Sequence, residues 1–548
     1  MGNKETILTF PALFDKTLRN HPEANAYSFV DESPISWTEA GRMISSVTAL
    51  LESAGIVPGD RVAILSTNMP NWAVSYFAVT FMGAVAVPIL PDFSPVEIIN
   101  VIEHSGARAL FVSSGLKHKT DGLKPGKPET IFSIEDFSVL SPAGSSLKYV
   151  PGSLPLRKYD VAGEDLASII YTSGTTGRSK GVMLTHKNIS FNALKGEMIQ
   201  PVNTNDRFLS VLPLSHTYEN TLGLILPMLG GSCVYYLRKP PTPPVLLPAL
   251  EKVKPTVMLT VPLIIEKVYY NKILPSLTGK WLMKQLYSIP LIRKRLNRIA
   301  GAKLMKTFGG SLKFFGIGGS KLNRTVEKFL LEARFPYAIG YGLTETAPLL
   351  AGANPQKTVF DSTGPAIDEI ELKINNPDPK TGEGEIWARG DNVMKGYYRE
   401  PEMTAEVLTA DGWFKTGDLG VFDSRNNLYI KGRLKNMIVG ASGENIYPEE
   451  IESVINNFRF VLESLVIQQK GKLVAYVHLN MEELERKYRS LKQDLEDRFE
   501  EKIQEFILEL KEYVNTNVNK FSQINKVVLQ PVPFEKTATL KIKRFLYI

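Results

Sequence analysis

Residues 171–181 place hydroxyl groups, glycines and two cations in one short stretch, which reads Tyr-Thr-Ser-Gly-Thr-Thr-Gly-Arg-Ser-Lys-Gly. Glycines let backbone N–H groups converge on an anion, hydroxyls donate further hydrogen bonds, and Arg178 and Lys180 add positive charge. A Walker A loop needs Gly-Lys followed directly by Ser or Thr, whereas here Ser179 precedes the lysine and Gly181 follows it. The stretch is predicted to hold the phosphates of a nucleotide by a different motif.

Two later segments carry carboxylates of the kind that a nucleotide site needs. Residues 341–346 read Tyr-Gly-Leu-Thr-Glu-Thr, and Glu345 offers the oxygen ligand that a hard cation between phosphates prefers. Residues 416–418 read Thr-Gly-Asp, and Asp418 can accept hydrogen bonds from two neighbouring hydroxyls. Either segment alone is also typical of a polar turn, so its interpretation depends on the loop upstream.

The surrounding elements indicate an α/β fold. Short β-branched runs at 61–65, 84–88 and 256–260 alternate with amphipathic helical stretches. From Thr363 onward short strands and Gly-containing turns predict a β-rich subdomain. The end of the chain reads as a small α+β domain, with a helix beginning near Pro448, a strand at 472–479 and a charged amphipathic helix whose apolar stripe is Leu484, Tyr488, Leu491, Leu495, Phe499, Ile503 and Phe506.

The composition is that of a globular protein of more than one structural unit, with 548 residues, 43% of them hydrophobic. The single cysteine, Cys233, excludes an intrachain disulfide and favours a reducing cytoplasm, and the scattered histidines argue against a structural zinc site. The apolar stretches are short and interrupted, so no membrane-spanning segment is predicted. The Met1-Gly2 start matches the myristoylation pattern, which short sequences often match by chance.

Residues 267–324 contain thirteen Lys and Arg residues and no Asp or Glu. Removing these thirteen from the 64 basic residues leaves 51 against 57 acidic ones, so the net charge of +7 arises in this stretch. Apolar side chains interleave with the cations, which predicts peripheral contact with the inner face of an anionic membrane: Trp281, Leu282, Leu286, Tyr287 and Ile289. Attraction of phosphate groups and a merely solvated face are the alternatives, and the absence of a recognition module disfavours nucleic acid.

The phosphate loop and the motifs after it resemble, in order and spacing, the signatures of the adenylate-forming superfamily of acyl-CoA synthetases, luciferases and peptide-synthetase adenylation domains. The resemblance covers nearly the entire chain and is greatest to AMP-forming long-chain fatty acid–CoA ligases. It implies a large N-terminal domain, residues 1–432, of two sheet-and-helix subdomains and a β-rich subdomain. A small mobile α+β domain, residues 433–548, would follow and carry the catalytic lysine.

The resemblance implies a nucleotide site assembled from several segments. Thr344 would bond the α-phosphate, Glu345 would hold Mg²⁺, and the Tyr341 ring would stack on adenine. Asp418 and Arg433 would bind the ribose. The residues implied to bind the nucleotide are Thr172, Ser173, Gly174, Thr175, Thr176, Gly177, Lys180, Gly318, Gly319, Ser320, Tyr341, Gly342, Asp418 and Arg433.

Further motifs resemble those of the hinge, the CoA loop and the end of the chain in this family. Lys435 would be the hinge residue, and Asn436 stands where most relatives carry Asp, so a hinge salt bridge from that position is in doubt. Gly440 and Gly443 would approach the pantetheine arm of CoA. Lys541 would be the catalytic lysine, with the usual preceding Gly replaced by Leu540, and the other candidates are Lys536 and Lys543.

Residues 212–220 resemble the motif beside the acyl pocket, for which His216, Thr217 and Gly223 are the predicted lining residues. Amino-acid-activating relatives place an Asp near here for the substrate ammonium, and this stretch has none. The apolar, glycine-rich residues 222–237 fit the wall of a hydrocarbon tunnel, but they equally fit a core helix and strand.

The resemblance thus implies ATP-dependent activation of a fatty acid, predicted to be long-chain, to acyl-AMP with release of pyrophosphate, and transfer to CoA. Lys541 and Mg²⁺ would neutralise charge, and no general base is needed because a carboxylate is already ionised at neutral pH. An acyl–acyl carrier protein ligase and a catalytically silent acyl-nucleotide-binding scaffold are the alternatives. Acyl chain length, the thiol acceptor, the oligomeric state and N-terminal lipidation stay open.

Overall fold

Strands and helices alternate along most of the chain, as the β-branched runs predict. The computed structural model describes residues 8–152, 156–172, 179–439, 444–489, 496–537 and 542–547. The strands, numbered along the chain, are β1 Asn25–Phe29, β2 Ile35–Ser36, β3 Arg61–Leu65, β4 Val85–Ile89, β5 Ala109–Val112, β6 Thr130–Ser133, β7 Val139–Ser141, β8 Leu166–Thr172, β9 Lys180–Thr185, β10 Arg207–Ser210, β11 Cys233–Tyr236, β12 Val257–Thr260, β13 Phe314–Ile317, β14 Tyr337–Gly342, β15 Leu349–Gly352, β16 Glu371–Asn375, β17 Gly384–Arg389, β18 Gly396–Tyr397, β19 Phe414–Phe422, β20 Leu428–Arg433, β21 Ile438–Val439, β22 Asn445–Ile446, β23 Val461–Gln469, β24 Lys472–Leu479 and β25 Lys526–Leu529.

Proline begins many of the helices, where its missing N–H would have no partner in any case. The α-helices are α1 Phe10–Asn20, α2 Trp37–Ser53, α3 Pro70–Phe81, α4 Pro95–Ser105, α5 His186–Ile199, α6 Thr217–Asn220, α7 Leu226–Leu229, α8 Pro243–Val253, α9 Pro262–Val268, α10 Leu274–Thr278, α11 Trp281–Ser288, α12 Pro290–Thr307, α13 Arg324–Ala333, α14 Pro401–Val407, α15 Pro448–Ile455, α16 Met481–Arg489 and α17 Glu496–Asn517. Short 3₁₀ segments lie at Ser114–Thr120, Thr344–Thr346, Leu434–Asn436, Lys520–Ser522 and Arg544–Leu546, and π-helical turns lie at Thr221–Ile225 and Tyr269–Ile273.

Two eight-stranded sheets form the large part of the molecule, counting the strands of the described ranges. The first sheet has the order β15-β14-β13-β12-β10-β11-β1-β2, and its strands are parallel from β14 through β1. The second has the order β18-β9-β8-β4-β3-β5-β6-β7, with a parallel centre from β8 to β6. Antiparallel strands close both edges of each sheet.

The central strands read as continuous apolar runs because each is buried on both faces. In β3, Val62 and Ile64 face a core that also contains residues of the first sheet. Ala63 and Leu65 alternate with them and face a second core that includes residues of α4. This two-sided burial explains why the sequence indicated strands here clearly, and β3 coincides with the predicted run at 61–65.

The β-rich subdomain predicted after Thr363 is a four-stranded antiparallel sheet of order β16-β17-β19-β20. Its strands alternate buried and half-buried positions, as expected of a sheet covered on one face. In β17 the alternate residues Ile386 and Ala388 are fully buried. The last strand, β20, carries the chain to Arg433 and so to the predicted hinge.

The end of the chain has its own three-stranded sheet, β23-β24-β25, and its own hydrophobic core. The charged segment that the sequence predicts as one helix is described as α16 and α17, and residues 490–495 between them lie outside the described ranges. Leu484 and Phe506 of the predicted apolar stripe are buried in this core. At Leu484, Ile503 and Phe506 the stripe therefore packs against the rest of this part of the chain, as predicted for a surface helix.

Polar contacts join this last part to the larger one. The Tyr447 hydroxyl donates a 2.6 Å hydrogen bond to Glu383. The Asn457 side chain bonds to both Tyr270 and Asn323. Interfaces of this polar kind are typical of parts of a chain that move relative to each other. Among the helices of the described ranges, none is both long and apolar enough to cross a membrane.

Gly342, at the end of β14, has no room for a side chain. A Cβ atom there would lie 1.7 Å from the carbonyl oxygen of Pro348. We expect Gly342→Ala to lower the free energy of unfolding by about 2 kcal/mol or more, because the backbone itself must shift. Gly115→Ala, where a Cβ meets nothing within 4 Å, should change it by less than about 0.5 kcal/mol. Thermal unfolding of both variants tests this, and equal midpoints would contradict it.

Candidate functional site

The carboxyl ends of parallel strands in the first sheet bring several predicted site segments to one edge. His216 follows β10, Gly318 follows β13, and Tyr341 ends β14. These three strands run in the same direction, with β12 between β10 and β13. In open α/β sheets ligands bind outside this edge. The sheet thereby brings motifs that are far apart in the sequence to one edge.

The two ends of the phosphate loop are held together as a hairpin. Thr172, the last residue of β8, pairs with Lys180, the first residue of β9. Antiparallel pairing along both strands fixes where the loop begins and ends. The predicted residues Ser173, Gly174, Thr175, Thr176 and Gly177 lie outside the described residues.

A tyrosine that the sequence reasoning did not single out connects the phosphate strand to the predicted metal carboxylate. The Tyr397 hydroxyl donates a 2.9 Å hydrogen bond to Glu345 Oε1. The Lys180 ammonium lies 4.8 Å from the centroid of the same ring. Tyr397 also pairs through its backbone with Val182 of β9. The only sequence signal was the aromatic pair 397–398 in a turn-rich region.

Lys180 is close to two other predicted site residues. Burial lowers the pKa of Lys180, the nearby ammonium of Lys435 lowers it further, and Glu345 acts in the opposite direction. Lys180, the predicted metal carboxylate Glu345 and the predicted hinge residue Lys435 therefore share one electrostatic environment. An arrangement in which two ammonium groups repel each other is suited to receiving a polyanion.

The predicted ribose site is a connected set of three side chains. Asp418 of β19 and Arg433 of β20 are register partners, and Arg433 Nε lies 2.8 Å from Asp418 Oδ1. The Tyr341 hydroxyl donates a 2.8 Å hydrogen bond to the other oxygen, Oδ2. Burial and the Asp418 charge raise the pKa of Tyr341 well above its ordinary value. The tyrosine thus stays a neutral donor, and its ring is held beside the carboxylate.

Glycines after β13 leave space at the cleft. A Cβ at Gly318 would lie 3.1 Å from the ring of Tyr218, and Gly319 has φ +89°, a conformation that favours glycine. Ser320 follows them directly, and Lys321 then lies 3.6 Å from Asp361. The lack of side chains at Gly318 and Gly319 fits the close approach that the family motif implies, and the Tyr218 ring lies against Gly318.

The predicted acyl-pocket residues lie where α6 passes into a π-helical turn. His216 caps α6, with Nδ1 accepting a 3.2 Å hydrogen bond from the Tyr218 N–H. Thr217 is fully buried. Gly223, within the π-turn, faces the side chain of Glu219, because a Cβ there would lie 2.7 Å from its carboxyl carbon. Such π-turns are frequent at functional sites.

Glu219 is a buried carboxyl group that the sequence reasoning did not assign. Its Oε1 lies 2.5 Å from the Ser210 hydroxyl, and Oε2 has no hydrogen-bond partner among the described residues. Burial raises the pKa of Glu219 to about 8, against the smaller lowering effect of Ser210. The group is therefore protonated at neutral pH. The motif 212–220 therefore carries no negative charge at neutral pH, although it contains a carboxyl group.

The hinge region differs from its relatives in a way that the structure explains. Asn436 donates a 2.6 Å hydrogen bond to Glu449 Oε1. An Asp at this position would face the Glu449 carboxylate with like charge, so the amide is the complementary choice. Lys435 itself is exposed. The Asn436 side chain thus forms a hydrogen bond with Glu449 at the predicted hinge.

Two lysines near the end of the chain have carboxylate partners. Lys536 forms an ion pair with Glu463, and Lys543 lies 3.9 Å from Glu535. The predicted catalytic Lys541 and the CoA-loop residues Gly440 and Gly443 lie outside the described residues. The ion pair with Glu463 of β23 indicates that Lys536 holds the segment after β25 against the three-stranded sheet.

The family model described as "AMP-binding enzyme" matches residues 14–398, which is more than half of the chain. This chain belongs to the AMP-binding enzyme family. The family is that of the adenylate-forming superfamily, as the loop, the Glu345 motif and the Asp418 motif predicted. The matched residues include all the strands of both large sheets.

The AMP-binding enzyme is similar to curated proteins over most of its length. It is 30% identical over 497 residues to the peroxisomal long chain acyl-CoA synthetase 7 of Arabidopsis thaliana, covering 82% of this chain and 69% of that protein. It is 30% identical over 445 residues to feruloyl-CoA synthase of Amycolatopsis sp, covering 79% and 80% of the two chains. Family and relatives together support an adenylate-forming acyl-CoA ligase.

The AMP-binding enzyme also shares its fold with solved structures. The o-succinylbenzoate CoA synthetase of Bacillus subtilis, in complex with ATP and magnesium, superposes with a TM-score of 0.75 at 22% identity, covering 97% of this chain and 98% of that chain. The similarity extends over the β-rich subdomain and the last part of the chain as well. The predicted α/β fold class is thereby confirmed.

Tyr397→Phe tests whether the hydroxyl positions Glu345 in the AMP-binding enzyme. We expect turnover to fall about 10-fold or more, because a hydrogen bond to a charged group contributes about 1.5–3 kcal/mol. The Mg²⁺ concentration for half-maximal activity should rise while the unfolding midpoint stays nearly unchanged. Tyr398→Phe is the matched control, since that hydroxyl makes only a 3.5 Å contact with Ser105 O. An unchanged Mg²⁺ requirement in Tyr397→Phe would contradict the assignment.

The raised pKa of Glu219 predicts a pH-dependent contribution to stability. The pKa is about 8 in the folded protein against 4.5 as its ordinary value, so folding favours the protonated form. This contribution is present below about pH 4.5 and is lost as the pH rises through 8. Relative to Glu219→Gln, the wild type should lose about 1.4 kcal/mol for each pH unit in that window.

Unfolding midpoints of the wild type and Glu219→Gln at pH 6 and pH 9 measure this difference. The exposed Glu501→Gln variant serves as the control, and its difference from the wild type should not change between the two pH values. A gap between the wild type and Glu219→Gln that is the same at both pH values would show that Glu219 does not titrate in this range.

Proposed function

We propose that this AMP-binding enzyme is a long-chain fatty acid–CoA ligase. A fatty acid carboxylate attacks the α-phosphorus of ATP, an acyl-adenylate forms and pyrophosphate leaves. CoA thiolate then attacks the acyl carbonyl, giving acyl-CoA and AMP. The first relatives named above are consistent with this, since one is a long chain acyl-CoA synthetase.

The observation that supports adenylate formation best is the cluster of Lys180, Tyr397 and Glu345. A cation for the phosphates and a carboxylate for a metal ion both contact one buried tyrosine. Adenylation needs positioning and charge neutralisation rather than a general base, because the attacking carboxylate is already ionised. This cluster supplies both functions at the end of the phosphate loop.

The residues fit Mg²⁺ in the proposed site. Mg²⁺ is usually held in proteins by one or two carboxylates together with substrate phosphates and water. Glu345 supplies one carboxylate, and only its Oε1 is bonded to Tyr397. When bound, the ion would neutralise charge on the phosphates. The chain's own contribution is to orient Glu345 through the Tyr397 hydroxyl and to place Lys180 beside it.

Other groups complete the proposal according to the family resemblance. Thr344 bonds the α-phosphate, and Lys541 bridges the carboxylate and the α-phosphate. Asp418 and Arg433 hold the ribose. The proposed domain boundary follows residue 432. Rotation of the last part of the chain about Lys435 then withdraws Lys541 from the site and brings in the CoA loop with Gly440 and Gly443. The polar contacts of Tyr447 with Glu383 fit an interface that opens during this rotation.

The acyl pocket favours an acid without an ammonium group. Glu219 is the carboxyl group inside the motif 212–220, and burial keeps it protonated at neutral pH. It therefore supplies no charge to bind a substrate ammonium. The residues after it, from the π-turn Thr221–Ile225 through β11, are almost entirely buried and mainly apolar. An apolar acid is the substrate class that this wall fits.

An aromatic acid is the second candidate, because feruloyl-CoA synthase is as similar in sequence identity as the long-chain synthetase. Acyl carrier protein in place of CoA is the alternative acceptor. A cytoplasmic location belongs to the same proposal, and membrane contact of residues 267–324 is a separate one.

Pyrophosphate release with saturated and unsaturated acids of C2 to C18 and with ferulate tests the proposal, with CoA or acyl carrier protein as acceptor. We expect the C14–C18 acids with CoA to be the best substrates. Better turnover of ferulate would replace the fatty acid by an aromatic one, and release of no pyrophosphate with any acid would reduce the protein to a silent binder.

Lys541→Ala is the matched variant for the catalytic assignment. We expect it to lose more than about 100-fold in acyl-adenylate formation, since it removes charge stabilisation made only in the transition state, while ATP binding is retained. Lys543→Ala, two residues away, should keep most of the activity. Full adenylation by Lys541→Ala would show that another lysine acts.

A further inference from the structure

The helices α11 and α12 form a hairpin whose outer surface is both basic and apolar. We call residues 281–307 the basic hairpin. Within α12 the exposed positions recur at spacings of three and four and so form one face of the helix. The residues of this face are Leu291, Lys294, Arg295, Arg298, Ile299, Ala302, Lys303 and Lys306.

The five cations of this face have no carboxylate partner among the residues that the structure describes. Several other basic residues of the stretch 267–324 do have carboxylate partners. Arg293 is paired with Glu332 at 2.9 Å, Lys313 with Asp206 at 2.6 Å, and Lys321 with Asp361 at 3.6 Å. Unpaired positive charge is thus concentrated on one face of α12.

Large apolar side chains are exposed at the start of each of the two helices. Trp281 is 77% exposed, Leu282 55% and Leu291 76%, and no residue of α11 is buried. Soluble surfaces rarely expose several such residues together, and a group rimmed by polar residues marks an interaction site. The exposed apolar residues and the cations lie on the same two helices.

The inner side of the hairpin is firmly packed, so the exposed face is a defined surface. Tyr287 donates a 2.9 Å hydrogen bond to Asn297, and Asn297 donates a 2.7 Å hydrogen bond to Glu332 of α13. Leu304 is buried in the core beneath α12. The outward direction of the cations is therefore set by these contacts.

We propose that the basic hairpin is a docking surface for an anionic lipid bilayer. Negative headgroups match the unpaired cations, and their attraction acts within about a Debye length of the surface. The indole and leucine side chains can enter the boundary between headgroups and acyl chains. A purely ionic partner would use the cations but would leave Trp281, Leu282 and Leu291 in water.

Sedimentation of the full chain with vesicles tests this without any substrate. The vesicles are phosphatidylcholine alone or an equal mixture with phosphatidylglycerol. We expect binding to the anionic vesicles, weak binding to the neutral ones, and a loss of affinity at high salt. Failure of the wild type to sediment with anionic vesicles would overturn the proposal. Ligase activity is not measured here, so this outcome is independent of the proposed function.

Two variants separate the contributions of charge and apolar contact. K294E/R295E/R298E should weaken binding to anionic vesicles at least 10-fold, and W281S/L282S/L291S should weaken it about 10-fold. The matched controls are K117E/K127E/K357E for charge and V57S/V96S/V150S for exposed apolar residues elsewhere. Both controls should bind like the wild type.

Each result supports or overturns the assignment. If the apolar variant binds as tightly as the wild type, the surface is a general polyanion site and the bilayer proposal is wrong. If the charge controls weaken binding as much as the hairpin variant, overall net charge and not this hairpin is responsible. Circular dichroism and unfolding midpoints confirm that the variants remain folded, which their exposed positions favour.

Discussion

The hydrogen bond from Tyr397 to Glu345, with Lys180 against the same ring, is the interaction on which the rest of the site depends. A nucleotide brings several negative charges close together, and a site can hold them only if its cations and its metal carboxylate keep fixed positions. Tyr397 performs this without adding charge of its own. Burial and the neighbouring Glu345 charge raise the pKa of Tyr397, so the hydroxyl remains a donor.

The two large sheets explain how this cluster is assembled from distant parts of the sequence. β18 pairs with β9, which brings Tyr397 beside the strand that begins at Lys180. The backbone N–H of Met394 bonds to the Glu345 carbonyl oxygen at 2.9 Å, which connects the segment before β18 to the 3₁₀ turn after β14. The edge strand β18 of the second sheet thus lies near the carboxyl end of β14 in the first sheet, beside Lys180.

The sequence predicted the fold class and the family well, because both depend on local patterns. Apolar runs such as β3 and β24 are buried over most of their length, so they read clearly as strands. The phosphate loop combines residue types that few other sites need. The family match confirms the interpretation that these patterns allowed.

Tyr397 and Glu219 could not be found in this way, since their roles come from contacts between segments far apart in the chain. Tyr397 reaches a carboxylate 52 residues away, and the pKa of Glu219 is raised by burial that no local pattern reports. The exposed face of α12 is an intermediate case. Its charge was visible in the sequence. Which cations near it have carboxylate partners depends on Glu332 of α13 and on Asp206, which directly precedes β10.

The central claim is that the site forms an acyl-adenylate before any thiol is involved. Exchange of labelled pyrophosphate into ATP, measured with a C16 fatty acid and without CoA, tests this most directly. The account predicts exchange that depends on the acid and on Mg²⁺ and that needs no CoA. Exchange that requires CoA, or acid-dependent release of ADP and phosphate in its place, would contradict it.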